Sequence, residues 1–247
     1  MINVNEISTN APDKLEKGKT KLKTELLAKK IGNLQRKIYA EKQHAILIIL
    51  QGMDASGKDG ASRHVFGECS IAGTESYSFK KPTEEELAHD FLWRVHKVAP
   101  QKGMIMLFNR SHYEDILIQR VHKWIDEDRV KIRMEAINAF EELLQKDNNT
   151  LMLKFFLNIS HKKQLEKLQE RIDIPEKNWK HNPSDWEETK LFDDYMKCYN
   201  YAINESTIPW HIIPVDKRWY RDYCIANIVH DALQELNPQL PLLKTNG

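Results

Sequence analysis

A solidly apolar run, Ala45 to Leu50, reaches Gln51 and opens at once into Gly52-Met53-Asp54-Ala55-Ser56-Gly57-Lys58-Asp59-Gly60. Six consecutive apolar residues ended by a glycine turn read as a strand buried on both faces of a parallel sheet. The frame that follows, G-x-x-x-x-G-K, is that of a phosphate-binding loop. Gly52, Gly57 and Gly60 let backbone N–H groups converge on phosphate oxygens at a helix start, and Lys58 adds a mobile positive charge. Ala55 and Ser56 complete the loop. The stretch after Lys58 continues as a helix, and strand–loop–helix is the context such a loop requires.

Two positions break the usual pattern. Where a metal-holding hydroxyl normally follows the lysine stands Asp59, and a second acid, Asp54, lies inside the loop. Carboxylates repel phosphates unless a cation lies between them, so Asp54 reads as a magnesium ligand, direct or through water. A general base is not needed, because a phosphate acceptor is already ionised at neutral pH. Asp59 suits the positive end of its helix.

The alternation then repeats. Short apolar runs near Tyr77, at 103–109, at 150–159 and around 209–215 read as strands. Amphipathic stretches at 83–99, 113–125, 129–146, 161–172, 186–206 and 219–236 read as single helices, with a capping box at Thr83 and Glu86. Strands alternating with helices predict an α/β fold, a parallel sheet with helices on both faces. Residues 1 to about 13 read as a loose tail. A helix over 15–41 repeats its apolar residues at Leu22, Leu26, Leu27, Ile31, Leu34 and Ile38.

Composition narrows the class. The 247 residues are 41% hydrophobic, enough for a core, and Gly and Pro number only nine each, which argues against long disordered tracts. No apolar run is long enough to span a membrane, and the first residues lack a signal-peptide layout. Three dispersed cysteines, Cys69, Cys198 and Cys224, fit no zinc or disulfide framework. A cytoplasmic protein is expected. Net charge is +1, but Lys14 to Lys42 holds ten Lys or Arg against three acids, a stretch able to attract a polyanion or simply a solvated helix face.

The second informative stretch, "MLFNRSHYED" at 106–115, follows a buried strand. Ligands bind beyond the C-terminal strand ends of such sheets. Asn109, Arg110, Glu114 and Asp115 are therefore placed near the phosphate loop. The strand ends in an amide, Asn109, where phosphate-loop enzymes commonly carry a magnesium-holding acid. Glu114 and Asp115 are the nearest carboxylates. Arg110 is placed to neutralise charge in transfer, and His112 is either a packed ring or a site residue.

Together these stretches resemble the polyphosphate kinase 2 family, whose loop pattern G-x-D-x-x-G-K-x-G is matched by Gly52, Asp54, Gly57, Lys58 and Gly60. The likeness continues through "SFKKPTEEELAHDFLWRVH", "NRSHYED", "ERIDIPEKNWK" and "IPWHIIPVDKRWY", from about 45 to 236. It implies a three-layer P-loop kinase fold with a helical lid. The implied division is a tail and basic helix at 1–44, a kinase domain at 45–236 with the lid at about 161–190, and a tail at 237–247. It implies transfer of the terminal phosphate of inorganic polyphosphate to nucleotides with Mg2+, for which Mn2+ can substitute, in a homodimer or homotetramer. The Asn-Arg-Ser-His-Tyr-Glu-Asp run is similar to the subgroup that phosphorylates both AMP and ADP, with Glu114 or Asp115 supplying the missing carboxylate. Arg171 matches a functional lid arginine, Lys177 and Lys180 are further phosphate contacts, and Lys80 and Lys81 are expected to face the polyphosphate channel.

Three rivals remain at this level. They are an ATP-dependent nucleoside monophosphate kinase of the same fold, a non-catalytic nucleotide or polyphosphate binder, and a nucleic-acid-handling ATPase. The near-neutral charge and the absence of a nucleic-acid motif weigh against the last, so neither a nucleic-acid nor a membrane partner is expected.

Overall fold

The computed structural model describes residues 1–243; the end of the expected 237–247 tail lies outside them. Five strands, β1 (Ala45–Gln51), β2 (Thr74–Ser78), β3 (Ile105–Asn109), β4 (Thr150–Asn158) and β5 (Trp210–Pro214), form one sheet in the order β2-β3-β1-β4-β5. All four pairings are parallel, with Ile48 opposite Leu107 on one side and Leu153 on the other. Every residue of β1 is buried, as a central strand covered on both faces must be. The strand that feeds the phosphate loop is thus the middle of the sheet, and β2 and β5 are its edges.

Helix α1 (Lys17–Glu41) packs against α10 (Arg218–Leu236) and α2 (Lys58–Phe66). A Cβ on Gly32 would meet the Glu68 carbonyl oxygen at 2.3 Å, which explains a glycine in mid-helix. The buried face of α1 includes Thr20, Thr24 and Gln35, whereas Leu22 and Leu26 are exposed, so the apolar repeat is only half buried. Helix α6 (Glu127–Asn148) lies against β4, with Ile137, Phe140 and Leu144 in the core.

Several expected helices are interrupted. The 83–99 stretch forms α3 (Glu84–Leu87) and α4 (Trp93–His96), because Asp90 accepts from the Leu92 N–H and turns the chain between them. The capping box at Thr83 and Glu86 is present. The 113–125 stretch is a 3-10 turn, His112–Asp115, followed by a single helical turn, α5 (Ile118–Val121). The 186–206 stretch breaks at Lys190–Leu191 into α8 (Pro183–Thr189) and α9 (Phe192–Glu205). Helix α7 (His161–Asp173) starts from β4 with Ser160 as its N-cap.

The amino-terminal residues are not a loose tail. Val4 is buried, its N–H donates to Asn200 and its carbonyl accepts from Asn158. Thr9 donates to Asp216, which also accepts both the N–H and the hydroxyl of Ser160. The segment therefore straps the ends of β4 and β5 where α7 begins.

Candidate active site

The loop after β1 turns through positive φ at Gly52 (154°), Ala55 (66°) and Gly57 (93°). Gly57 is required twice over, since a Cβ there would also lie 2.0 Å from Arg221 Nη1. Lys58 is the first residue of α2, and its ammonium donates to the Gly52 and Met53 carbonyls at 2.7 and 3.2 Å. Burial, helped by the nearby Arg110 charge, pulls that ammonium down to about 8, against the pull of Asp54 and Glu114. The Ser56 hydroxyl is buried with no protein partner. Gln164, on α7, donates to the Asp54 carbonyl at 3.3 Å and so ties the loop to that helix.

Beyond β3, Arg110 holds φ at 62° while its N–H donates to the Leu50 carbonyl. A non-glycine residue in this region is maintained by its surroundings, and such residues gather at functional sites. The turn lays the guanidinium between two carboxylates. Nη2 donates to Asp54 Oδ1 at 2.5 Å, and Nη1 lies 3.6 Å from Glu114 Oε2. Burial alone would raise the Asp54 carboxyl, but Arg110 and Lys58 outweigh it and hold it below its ordinary value. Glu114 also accepts from Gln51 Nε2. Asp115 points elsewhere. Its oxygens accept from Arg94 at 3.0 Å and Gln119 at 2.6 Å, and burial raises its carboxyl against the Arg94 charge. Of the two acids left open by the sequence, Glu114 shares Arg110 with Asp54, and Asp115 is spent on Arg94. Among the described residues no cluster of three or more His, Cys, Asp or Glu could hold a metal alone. Two carboxylates at the mouth of a phosphate loop suit a magnesium ion that takes its other ligands from phosphates and water.

Asn109 donates to Asp59, and Lys180 reaches the same carboxylate at 3.8 Å, so Asp59 links the strand end to the 175–180 turn. His112 is fully buried; its Nε2 lies 3.1 Å from Glu141, which is paired with Lys154 at 2.6 Å. It is a packed ring beneath the Arg110 turn, off the cavity wall.

Across the loop, Arg171 donates to the Lys180 carbonyl and to Asp185. Lys177 is paired with Glu170 at 2.7 Å. Glu170 also meets Lys167 and Arg218, and although burial would raise its carboxyl, Lys177 and Lys167 bring it down to about 2. Lys80 and Lys81 follow β2, on the sheet edge opposite β5 and α10, and Arg94 fixes the Lys80 carbonyl at 3.0 Å.

One cavity of about 830 Å3 takes in the loop, the Arg110 turn, Lys80, Lys81, Arg171, Lys177 and Lys180. Twelve Lys or Arg line it against five Asp or Glu, so it suits a polyanion. Five of those cations, Arg63, Arg94, Lys167, Arg218 and Arg221, are not among the residues singled out from the sequence. The cationic "DKRWYR" run just past β5 is the signal that could have found two of them. Arg221 is the most telling. Its guanidinium is buried against Gly57 and Gly60 and held by Asp222 at 2.6 and 2.8 Å. None of the basic residues at 14–42 lines the cavity.

The family model "Polyphosphate kinase 2 (PPK2)" matches residues 14–241. An AMP/ADP-polyphosphate phosphotransferase of Meiothermus ruber is 44% identical over 223 residues, 89% of this chain and 83% of the relative. An ADP-polyphosphate phosphotransferase of Rhodopseudomonas palustris is 37% identical, covering 86% of this chain and 78% of its own. The crystal structure of polyphosphate kinase 2 from Arthrobacter aurescens superposes with a TM-score of 0.95 at 35% identity, over 100% of this chain and 90% of that one. A phosphate loop at the centre of a five-stranded parallel sheet, a cation-lined cavity across its strand ends and these matches make the chain a member of the polyphosphate kinase 2 family.

Proposed function

We propose that the enzyme transfers the terminal phosphate of inorganic polyphosphate to ADP and to AMP, reversibly and with Mg2+, for which Mn2+ can substitute. The observation that carries the reading is the cavity wall, where twelve cations oppose five acids on both sides of a phosphate loop. A single nucleoside triphosphate needs the loop; a chain of phosphates also uses the cations toward α10. The names of the Meiothermus and Rhodopseudomonas relatives support ADP as an acceptor, and the first of them supports AMP.

In the transfer, a terminal P–O bond of polyphosphate breaks and a new bond forms to a terminal phosphate oxygen of the nucleotide. The acceptor oxygen carries no proton at neutral pH, so no base is required. Loop N–H groups and Lys58 hold the donor phosphates, and Arg221 keeps the loop in its strained shape. Arg110 and Arg171 spread the charge of the phosphoryl group in flight. Positioning and electrostatics of this kind supply nearly all the catalysis of such reactions. Asp54 and Glu114 would hold the magnesium, which when bound neutralises phosphate charge between the two substrates. Lys177 and Lys180 support the donor chain, and Lys80 and Lys81 face the channel that the chain occupies. Residues 161–190 act as the lid.

No helix among the described residues is long and apolar enough to cross a membrane, and the cysteines are free, which fits the cytoplasm. Exposed Leu22 and Leu26 on α1 fit a contact in a homodimer or homotetramer, which sedimentation will test.

The deciding experiment supplies AMP, and separately ADP, with polyphosphate and magnesium and no ATP. ADP and ATP from AMP are expected. Conversion of ADP alone would remove AMP from the proposal, and transfer only from ATP would overturn it.

A further inference from the structure

At one end of the cavity stands Trp124, 65% exposed, although an indole is among the most costly side chains to leave in water. It is held there. Helix α5 ends at Val121, Lys123 then adopts φ 56°, and the Trp124 N–H donates back to the Gln119 carbonyl at 2.8 Å. One face of the indole is covered by the His122 ring, stacked at 4.9 Å and 19°. His122 in turn is fixed by Glu188 of α8, whose oxygens lie 3.0 and 3.2 Å from Nε2. Glu188 is itself anchored by the Tyr195 hydroxyl at 2.7 Å. A chain of contacts running into the lid region thus holds the indole at the cavity wall, with only one face covered by His122.

The remaining aromatic rings of the cavity wall are committed. Phe79 is buried edge-to-face between Tyr77 and Phe108, and the His64 ring is bonded to Asp222. Trp124 also follows, within ten residues, the turn that carries Glu114. Gln119, one turn before it, bonds Asp115, the neighbour of Glu114, while the α10 cations Arg218 and Arg221 line the cavity from the other side of the phosphate loop.

We infer that Trp124 is the stacking platform for the base of the acceptor nucleotide, with His122 and Glu188 as its positioning residues. The inference rests on the proposed transfer to nucleotides and adds where the base is held. It also carries a specificity. The Gln119 amide is held at one end by Asp115 and at the other by Arg133, which fixes it in place beside the 3-10 turn. Stacking accepts any planar base, so acceptors rank by stacking area, purines ahead of pyrimidines.

The test measures ADP binding by calorimetry, without polyphosphate, beside steady-state kinetics at saturating polyphosphate. Trp124→Ala is expected to raise the nucleotide Kd and KM by about 10- to 100-fold. It should leave the KM for polyphosphate unchanged and compress the purine–pyrimidine ranking, while Trp124→Phe stays within a few fold of wild type. Glu188→Ala should weaken ADP less than Trp124→Ala, again without touching polyphosphate. Equal ADP affinity in wild type and Trp124→Ala overturns the inference, and if that variant instead shifts the oligomeric state, the indole is a subunit contact. Because ADP affinity is read without turnover, a wild type that binds ADP through Trp124 but transfers nothing from polyphosphate would refute the proposed reaction and leave the platform standing.

Discussion

Replacing Lys154 by methionine removes the ammonium that neutralises Glu141 beneath the Arg110 turn. Both side chains are fully buried, 2.6 Å apart, and Lys154 also donates to the Tyr113 hydroxyl at 2.8 Å. Burial would raise the Glu141 carboxyl, but the His112 bond and the Lys154 charge prevail and lower it. Without Lys154 an anion stays buried with only the His112 contact, and breaking such a pair costs about 3–5 kcal/mol. For a chain of this size that is a drop of about 6–20 °C in melting temperature. Adding Glu141→Gln removes the second charge and keeps an oxygen for His112 Nε2, so the double variant should regain about half of the loss or more. Glu141→Gln alone behaves differently, because an amine can shed its proton where a carboxylate at neutral pH cannot readily gain one. Burial already lowers the Lys154 ammonium from 10.5, and loss of Glu141 lowers it further. The unfolded chain then binds more protons than the folded one between the lowered value and 10.5, so this variant gains stability as pH rises through that interval. Urea unfolding of the four proteins at several pH values decides the matter. A Lys154→Met variant within about 1 kcal/mol of wild type, or single losses that simply add, would refute the buried-charge argument.

Lys58→Ala and Arg171→Ala should each lower turnover on the order of a thousandfold with the fold intact by circular dichroism; near-normal rates in either folded variant would remove that residue from the mechanism. Because the Lys58 ammonium lies at about 8 in the free protein, kcat/KM for polyphosphate should fall as pH rises through 8. The decline in kcat itself should come at higher pH, since bound phosphate favours the charged amine. Gly57→Ala should abolish phosphate binding, its Cβ meeting Arg221 at 2.0 Å, whereas Gly18→Ala, with open space around it, should be neutral or stabilise by about 0.5–1 kcal/mol. Deleting residues 1–10 should cost about 2–4 kcal/mol from the buried Val4 and the lost hydrogen bonds, measured by urea unfolding.

What could be read from the chain was what local spacing decides. The central strands announce themselves because burial on both faces demands unbroken apolar runs, and the phosphate loop because its glycines and lysine act within nine residues. What escaped reading depends on partners distant in sequence. Arg221 meets Gly57 across 164 residues, and Val4 meets Asn158 across 154, so neither contact leaves a periodic trace. The choice between Glu114 and Asp115 was hidden for another reason. Adjacent residues of a tight 3-10 turn diverge, and one bonds Gln51 while the other bonds Arg94. Helix lengths were overestimated where a polar side chain such as Asp90 offered the backbone a turn, a competition that amphipathic periodicity does not register.

Several of the cations that line the site are paired with carboxylates. Arg110 is matched with Asp54, Arg171 with Asp185, Lys177 with Glu170 and Lys180 with Asp59. The more exposed of these, Lys177 with Glu170 and Lys180 with Asp59, are worth only about 0–1 kcal/mol each, so their cations can trade carboxylates for phosphates at little expense. The buried contacts around them are of a different order. Arg94 with Asp115, Lys154 with Glu141 and Arg221 with Asp222 fix the frames on which the exchanging cations sit. A site that must admit two polyanions, and release them again, gains from this division: the groups that touch phosphate stay replaceable, and the groups that aim them do not move.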